Sequence, residues 1–102
     1  MKNSRGRSLS FDFFINNEYC LEFDGIQHFT YSNSGWDTEE HFNKTRQRDL
    51  IKNQYCFSHN IPLIRIPYDV EYTLEDLKLT SPFLLTPANE SEYYNTRCHN
   101  SL

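Results

Sequence analysis

A chain of 102 residues with a formal net charge of −4 has room for one domain with one modest core. Its 37% hydrophobic and 16% aromatic content argues against global disorder, and the acidic balance gives no basic footprint for nucleic acid. Cys20, Cys56 and Cys98 include no Cys-x-x-Cys pair, so neither a disulfide framework nor a structural zinc site is encoded; lacking a signal-peptide pattern or bilayer-length apolar run, the chain reads as intracellular.

Residues 1–8, MKNSRGRS, read as a flexible basic arm, residues 9–80 as the core domain and residues 81–102 as a peripheral C-terminal tail. Aromatic and β-branched residues from Leu9 to Ile15 predict a strand, INNEY supplies a turn, and residues 18–24 return as the second strand of a hairpin. A polar loop, YSNSGW, precedes a long helix expected from about residue 38 to 58, with Asp37 as N-cap and Glu40 completing a capping box. NIPLIRIPY then predicts a short apolar strand, and TLEDLKL a short helix. Strand, long helix and strand form a crossover unit between parallel strands.

The stretch CLEFDGIQHF carries the chemistry. Alternation along a strand sends Glu22 and Asp24 to one face and Leu21 and Phe23 to the other. A two-residue turn at Asn16-Asn17 would pair Asp12 with Leu21, whereas a three-residue loop including Glu18 pairs Asp12 with Glu22. The second register is expected, because it places Phe11, Phe13, Leu21 and Phe23 together on an apolar face. Three neighbouring carboxylates repel one another unless one is protonated, bases pair with them, or a divalent cation binds. Mg²⁺ prefers such oxygens, with Mn²⁺ as a substitute, and the main-chain carbonyl of Phe23 would be placed to assist Asp12, Glu22 and Asp24.

On the long helix, Phe42, Leu50, Cys56 and Phe57 form the expected apolar stripe, and Asp49 falls inside it, which is costly without a partner. Lys52 is one turn further on and either pairs with Asp49 or meets the strand acids. Arg65 interrupts an apolar strand; it closes a salt bridge to one of the acids or contacts a phosphate. His41, His59 and His99 read as surface residues, while His28 follows the acids directly.

LSFDFFINNEYCLEFDGIQHF, RQRDLIKNQYC and IPLIRIPY, taken in order, resemble the PD-(D/E)XK nuclease superfamily, in particular the branch of very-short-patch repair and EDxHD homing endonucleases that includes small phage and giant-virus proteins. The resemblance spans residues 9 to about 78. It implies a restriction-endonuclease-like α/β fold, a mixed sheet with flanking helices, and Mg²⁺-dependent hydrolysis of DNA phosphodiester bonds. By position, Asp12 matches the first metal-binding aspartate, Glu22 the second-motif acid, and Asp24 the place of the usual lysine. His28 resembles the histidine of EDxHD, acting as general acid or base, and Asp49 the final aspartate that orients it. Gln27 stands where an amide touches water or phosphate, and Arg48, Lys52 and Arg65 are expected on the DNA side.

In that family a helix and a strand precede the strand matching FDF, so an uncovered sheet edge is expected here, completed by a homodimer or a second chain. Arg5, Arg7, Lys44, Arg46, Arg48, Lys52 and Arg65 supply the concentrated positive charge for phosphate contacts. The alternative function is a non-catalytic, nuclease-like viral inhibitor or binding module that works through protein contacts and uses its acidity to mimic DNA.

Overall fold

A computed structural model describes residues 10–31 and 38–96. Within them run β1 (Phe13–Ile15), β2 (Tyr19–Asp24), a 3₁₀ turn (Ile26–His28), α1 (Glu39–Ser58), β3 (Leu63–Pro67), a second 3₁₀ turn (Leu74–Leu77), β4 (Leu84–Leu85) and α2 (Glu90–Asn95). The strands lie in the order β1-β2-β3-β4. β2 and β3 are parallel across the α1 crossover, and both outer pairs are antiparallel. The chain is thus a mixed α/β protein. The expected basic arm and Asp37 lie outside the described residues, as do Cys98 and His99.

Phe13 pairs with Leu21, Phe14 with Cys20 and Ile15 with Tyr19, leaving Asn16, Asn17 and Glu18 as the loop. Both asparagines take left-handed backbone angles (φ 51° and 55°), and Glu18 N–H closes the turn on Ile15 O at 2.8 Å. Asparagine tolerates this conformation better than most residues, which fixes the loop length and with it the register. Continuing that register puts Asp12 opposite Glu22. β1 is nonetheless shorter than the expected strand: the chain bends at Asp12, whose carboxylate accepts the Phe23 N–H at 2.7 Å in place of a main-chain partner. The bend also turns Phe11 over to the helix side, where it packs near Cys20 and Cys56, so the expected row of Phe11, Phe13, Leu21 and Phe23 is broken.

Alternation divides the core between two faces of the sheet. Tyr19, Leu21, Ile64 and Ile66 are buried on one face beneath Ile15, Phe23, Val70, Leu77, Phe83 and Leu84. On the other, Cys20 and Leu63 meet Cys56 of α1 and Leu85 of β4. Cys20, Glu22 and Asp24 share this second face with Leu63 and Arg65, so it is apolar towards one end and ionic towards the other.

Helix α1 is capped by Thr38, not Asp37: the Thr38 hydroxyl accepts His41 N–H at 3.2 Å, and Glu39 and Glu40 complement the positive end of the helix. It ends in a Schellman turn, with Asn60 left-handed (φ 55°) and Ile61 N–H reaching back to Cys56 O at 2.9 Å. The buried row is Phe42, Thr45, Asp49, Asn53 and Cys56, whereas Leu50, placed in the stripe by sequence, is 41% exposed. A helix that turns Thr, Asp and Asn inward needs polar partners beneath it, and the ionic end of the sheet provides them.

The stretch beyond Pro82 is not the expected peripheral tail. Leu84 and Leu85 pair with Ile64 and Leu63 as β4, and α2 buries Tyr94 against Phe29. The β4–α2 turn is tied by Asn89, which donates to Leu84 O at 3.0 Å and accepts Thr86 N–H at 2.8 Å. No helix among the described residues is long and apolar enough to cross a membrane.

Candidate active site

At the C-terminal ends of β2 and β3, where the parallel pair opens towards the first 3₁₀ turn, the sequence gathers four ionisable groups. Asp24 ends β2, His28 ends the 3₁₀ turn, Asp49 reaches down from α1, and Arg65 stands in mid-β3. Arg65 is fully buried. Its Nη1 donates to both oxygens of Asp24 at 2.8 and 3.0 Å, its Nε donates to Asn53 Oδ1 at 2.8 Å, and its Nη2 lies 3.7 Å from Asp49 Oδ1. Of the two roles open to Arg65, it therefore fills the salt bridge.

His28 Nδ1 is 2.8 Å from Asp49 Oδ2 and 3.7 Å from Asp24 Oδ1. Its side chain keeps 18% exposure while both aspartates are buried. Burial alone would push the imidazole pKa down; the hydrogen bond to Asp49, and the charges of Asp49 and Asp24, outweigh burial and hold it above its usual value. Charge counting agrees: two carboxylates face one guanidinium, and a proton on His28 cancels the remaining negative charge. Arg46 fixes the turn from outside by donating through Nη2 to His28 O at 3.2 Å, with its guanidinium over the Tyr94 ring at 4.3 Å.

Glu22 and Lys52 form a second, self-neutral pair at 3.0 Å, so Lys52 meets a strand acid and not Asp49. Burial raises the Glu22 carboxyl pKa, Lys52 only partly offsets this, and Asp12 adds to the rise from the rim. Asp12 itself is exposed. Of the carboxylates expected to hold a hard divalent cation, Asp12 is exposed and accepts Phe23 N–H through one oxygen, whereas Glu22 is 4% exposed and bonded to Lys52 through Oε1, so a cation could reach Glu22 only in competition with that ammonium. Asp24 does not fit, because it is 1% exposed and both its oxygens are engaged, by Arg65 and by the Tyr93 hydroxyl at 2.7 Å. The expected set of three carboxylates is thus reduced to two. The Phe23 main chain meets Asp12 through its N–H, which donates to Oδ2 at 2.7 Å. Among the described residues, no group of three or more His, Cys, Asp or Glu side chains draws together as a metal-holding set.

Gln27 is exposed on the 3₁₀ turn beside His28, and Arg48 is exposed on α1, outside the buried network. The network includes residues that sequence reasoning missed. Asn53, fully buried, donates to Glu90 Oε2 at 2.8 Å and to the Tyr94 hydroxyl at 3.0 Å while accepting from Arg65, and Tyr93 binds Asp24. Asn53 carried a signal, since it follows Asp49 by one helical turn on the same face. Tyr93 and Glu90 carried none, because α2 is too short to show a period.

No family, curated protein or solved structure matches this chain.

Proposed function

We infer that this protein is a metal-dependent DNA endonuclease on a restriction-endonuclease-like scaffold, hydrolysing phosphodiester bonds with His28 as its proton-transfer group. The observation that carries the reading is the His28–Asp49 pair at 2.8 Å, whose imidazole keeps 18% exposure, on the sheet face that also carries Glu22 beneath the same helix. The resemblance of the LSFDF, CLEFDGIQHF and RDLIK stretches to PD-(D/E)XK nucleases supports the substrate class. A bound Mg²⁺, or Mn²⁺ in its place, held by Asp12 and Glu22, would supply polarisation of a phosphoryl oxygen and a coordinated water of lowered pKa. Asp49 orients the imidazole through Nδ1 and leaves Nε2 as the working nitrogen. In the protonated form favoured by Asp24 and Asp49, His28 acts as general acid and gives its proton to the leaving oxygen. Arg65 does not touch substrate; it holds Asp24 and Asp49 in place. Lys52 keeps Glu22 compensated until phosphate or cation arrives. Arg48 and Gln27, both exposed, supply phosphate contacts.

One observation favours the second reading, a non-catalytic binding module. Asp24 and Glu22 already hold Arg65 and Lys52 as internal counter-charges. Plasmid nicking separates the two. The endonuclease reading expects relaxed or linear product with Mg²⁺, none with EDTA, and loss of activity in Asp12→Ala. No metal-dependent product from duplex, single-stranded or branched DNA leaves the binding-module reading standing.

A further inference from the structure

His28 Nδ1 has two carboxylates within reach, Asp49 at 2.8 Å and Asp24 at 3.7 Å, and the difference is small enough for either to become its partner. What each acid already holds decides between them. Asp24 is the more fully occupied: Arg65 Nη1 binds both of its oxygens, and the Tyr93 hydroxyl donates to Oδ2 at 2.7 Å. Asp49 meets Arg65 only at ion-pair distance, 3.7 Å, so its hydrogen-bonding capacity is directed at the imidazole. A charged acceptor that loses a hydrogen-bond donor seeks another, and His28 Nδ1 stands 3.7 Å from Asp24 Oδ1.

We propose that Tyr93 is a positioning residue of this site: its hydroxyl completes the donor set of Asp24, keeps that carboxylate on Arg65, and leaves His28 Nδ1 to Asp49. The proposal rests on the reading of His28 and Asp49 as the working pair. The aim of the hydroxyl is set by packing, since the Tyr93 ring lies edge-on to both Phe29 (5.5 Å between centroids) and Tyr94 (5.0 Å). The Tyr94 hydroxyl in turn accepts from Asn53, anchoring α2 to α1. The ionisable groups around His28 are Asp24 from β2, Asp49 and Arg46 from α1, and Arg65 from β3, and the Tyr93 hydroxyl from α2 bonds the first of these. α2 is thereby part of the site and not an appendage.

The test compares imidazole nitrogen-15 and Nδ1-proton resonances of His28 in the wild-type protein, Tyr93→Phe and Tyr94→Phe. Tyr93→Phe keeps the ring and its aromatic contacts and removes only the donor to Asp24. Its His28 Nδ1 resonances are expected to move, while Tyr94→Phe, which removes a hydroxyl bonded to Asn53, leaves them in place. This readout needs no activity, so a wild-type protein that fails to cleave DNA sinks the nuclease reading without touching the result. Where cleavage is present, Tyr93→Phe is expected to lower kcat about tenfold with KM nearly unchanged. Unmoved His28 resonances in Tyr93→Phe, or equal movement in both variants, overturn the proposal. Should Tyr93→Phe fail to fold, the wild-type spectrum decides: a slowly exchanging, hydrogen-bonded Tyr93 hydroxyl proton is expected, and its absence overturns the assignment.

Discussion

Arg65 Nη1 lies 2.8 and 3.0 Å from the two oxygens of Asp24, and neither side chain has any exposed surface. Removing one partner of such a pair leaves a buried charge unanswered, at a cost of roughly 3–5 kcal/mol. Arg65→Met is therefore expected to lose most of the stability of a domain this small, and adding Asp24→Asn to restore part of it. Urea unfolding at neutral pH measures both, and an Arg65→Met protein as stable as wild type contradicts the central place given to this pair.

Stability should also depend on pH through His28. Its folded pKa is held above the ordinary 6.5 by Asp49 and Asp24 in spite of burial. A group protonated more readily in the folded state stabilises fully below its unfolded pKa, and that contribution fades as pH rises through the folded value. His28→Gln is thus expected to fall further below wild type at about pH 5.5 than at about pH 9 in denaturant titrations. Equal deficits at both pH values contradict the assignment.

Lys52 answers a Glu22 carboxyl whose pKa burial has already raised from 4.5. Without the ammonium the carboxyl is pushed higher still, so the charged form becomes costlier. Lys52→Met is expected to be clearly destabilised at neutral pH and to recover relative to wild type as the solution is acidified and Glu22 takes its proton, the variant's carboxyl doing so at the higher pH. A deficit independent of pH would assign Lys52 to packing instead.

Phe29 is fully buried and touches Tyr68, Tyr93 and Tyr94, joining the 3₁₀ turn that carries His28 to α2. Phe29→Ala is expected to cost about 3–5 kcal/mol in thermal or chemical unfolding. A loss below about 1 kcal/mol would mean that α2 is held elsewhere.

Much of this arrangement was legible from local chemistry. The three-residue loop was legible from the demand for an apolar strand face, although Phe11, one of the four residues that argued for it, lies on the other side; strand alternation put Glu22 and Asp24 on one face, and Asp49 was conspicuous among apolar neighbours. The bend at Asp12 was not legible, because it comes from a side chain replacing a main-chain partner across the hairpin. Nor was the exposure of Leu50: the wheel weighed hydrophobicity, whereas the ionic end of the sheet drew Asp49 and Asn53 inward. Arg65 left two roles open until its distance to Asp24 was known. The strand and helix beyond Pro82 leave almost no pattern, since elements of two and six residues are specified by the contacts they make and not by their own periodicity.

The pH dependence of single-turnover DNA nicking with Mg²⁺, in wild type, His28→Ala and Asp49→Asn, tests the role given to His28 most directly. The expected result is a wild-type rate that falls as pH rises through the His28 pKa, a loss of about 10²- to 10⁴-fold in His28→Ala, and a fall displaced to lower pH in Asp49→Asn. Cleavage by His28→Ala at the wild-type rate with the same pH profile would contradict it.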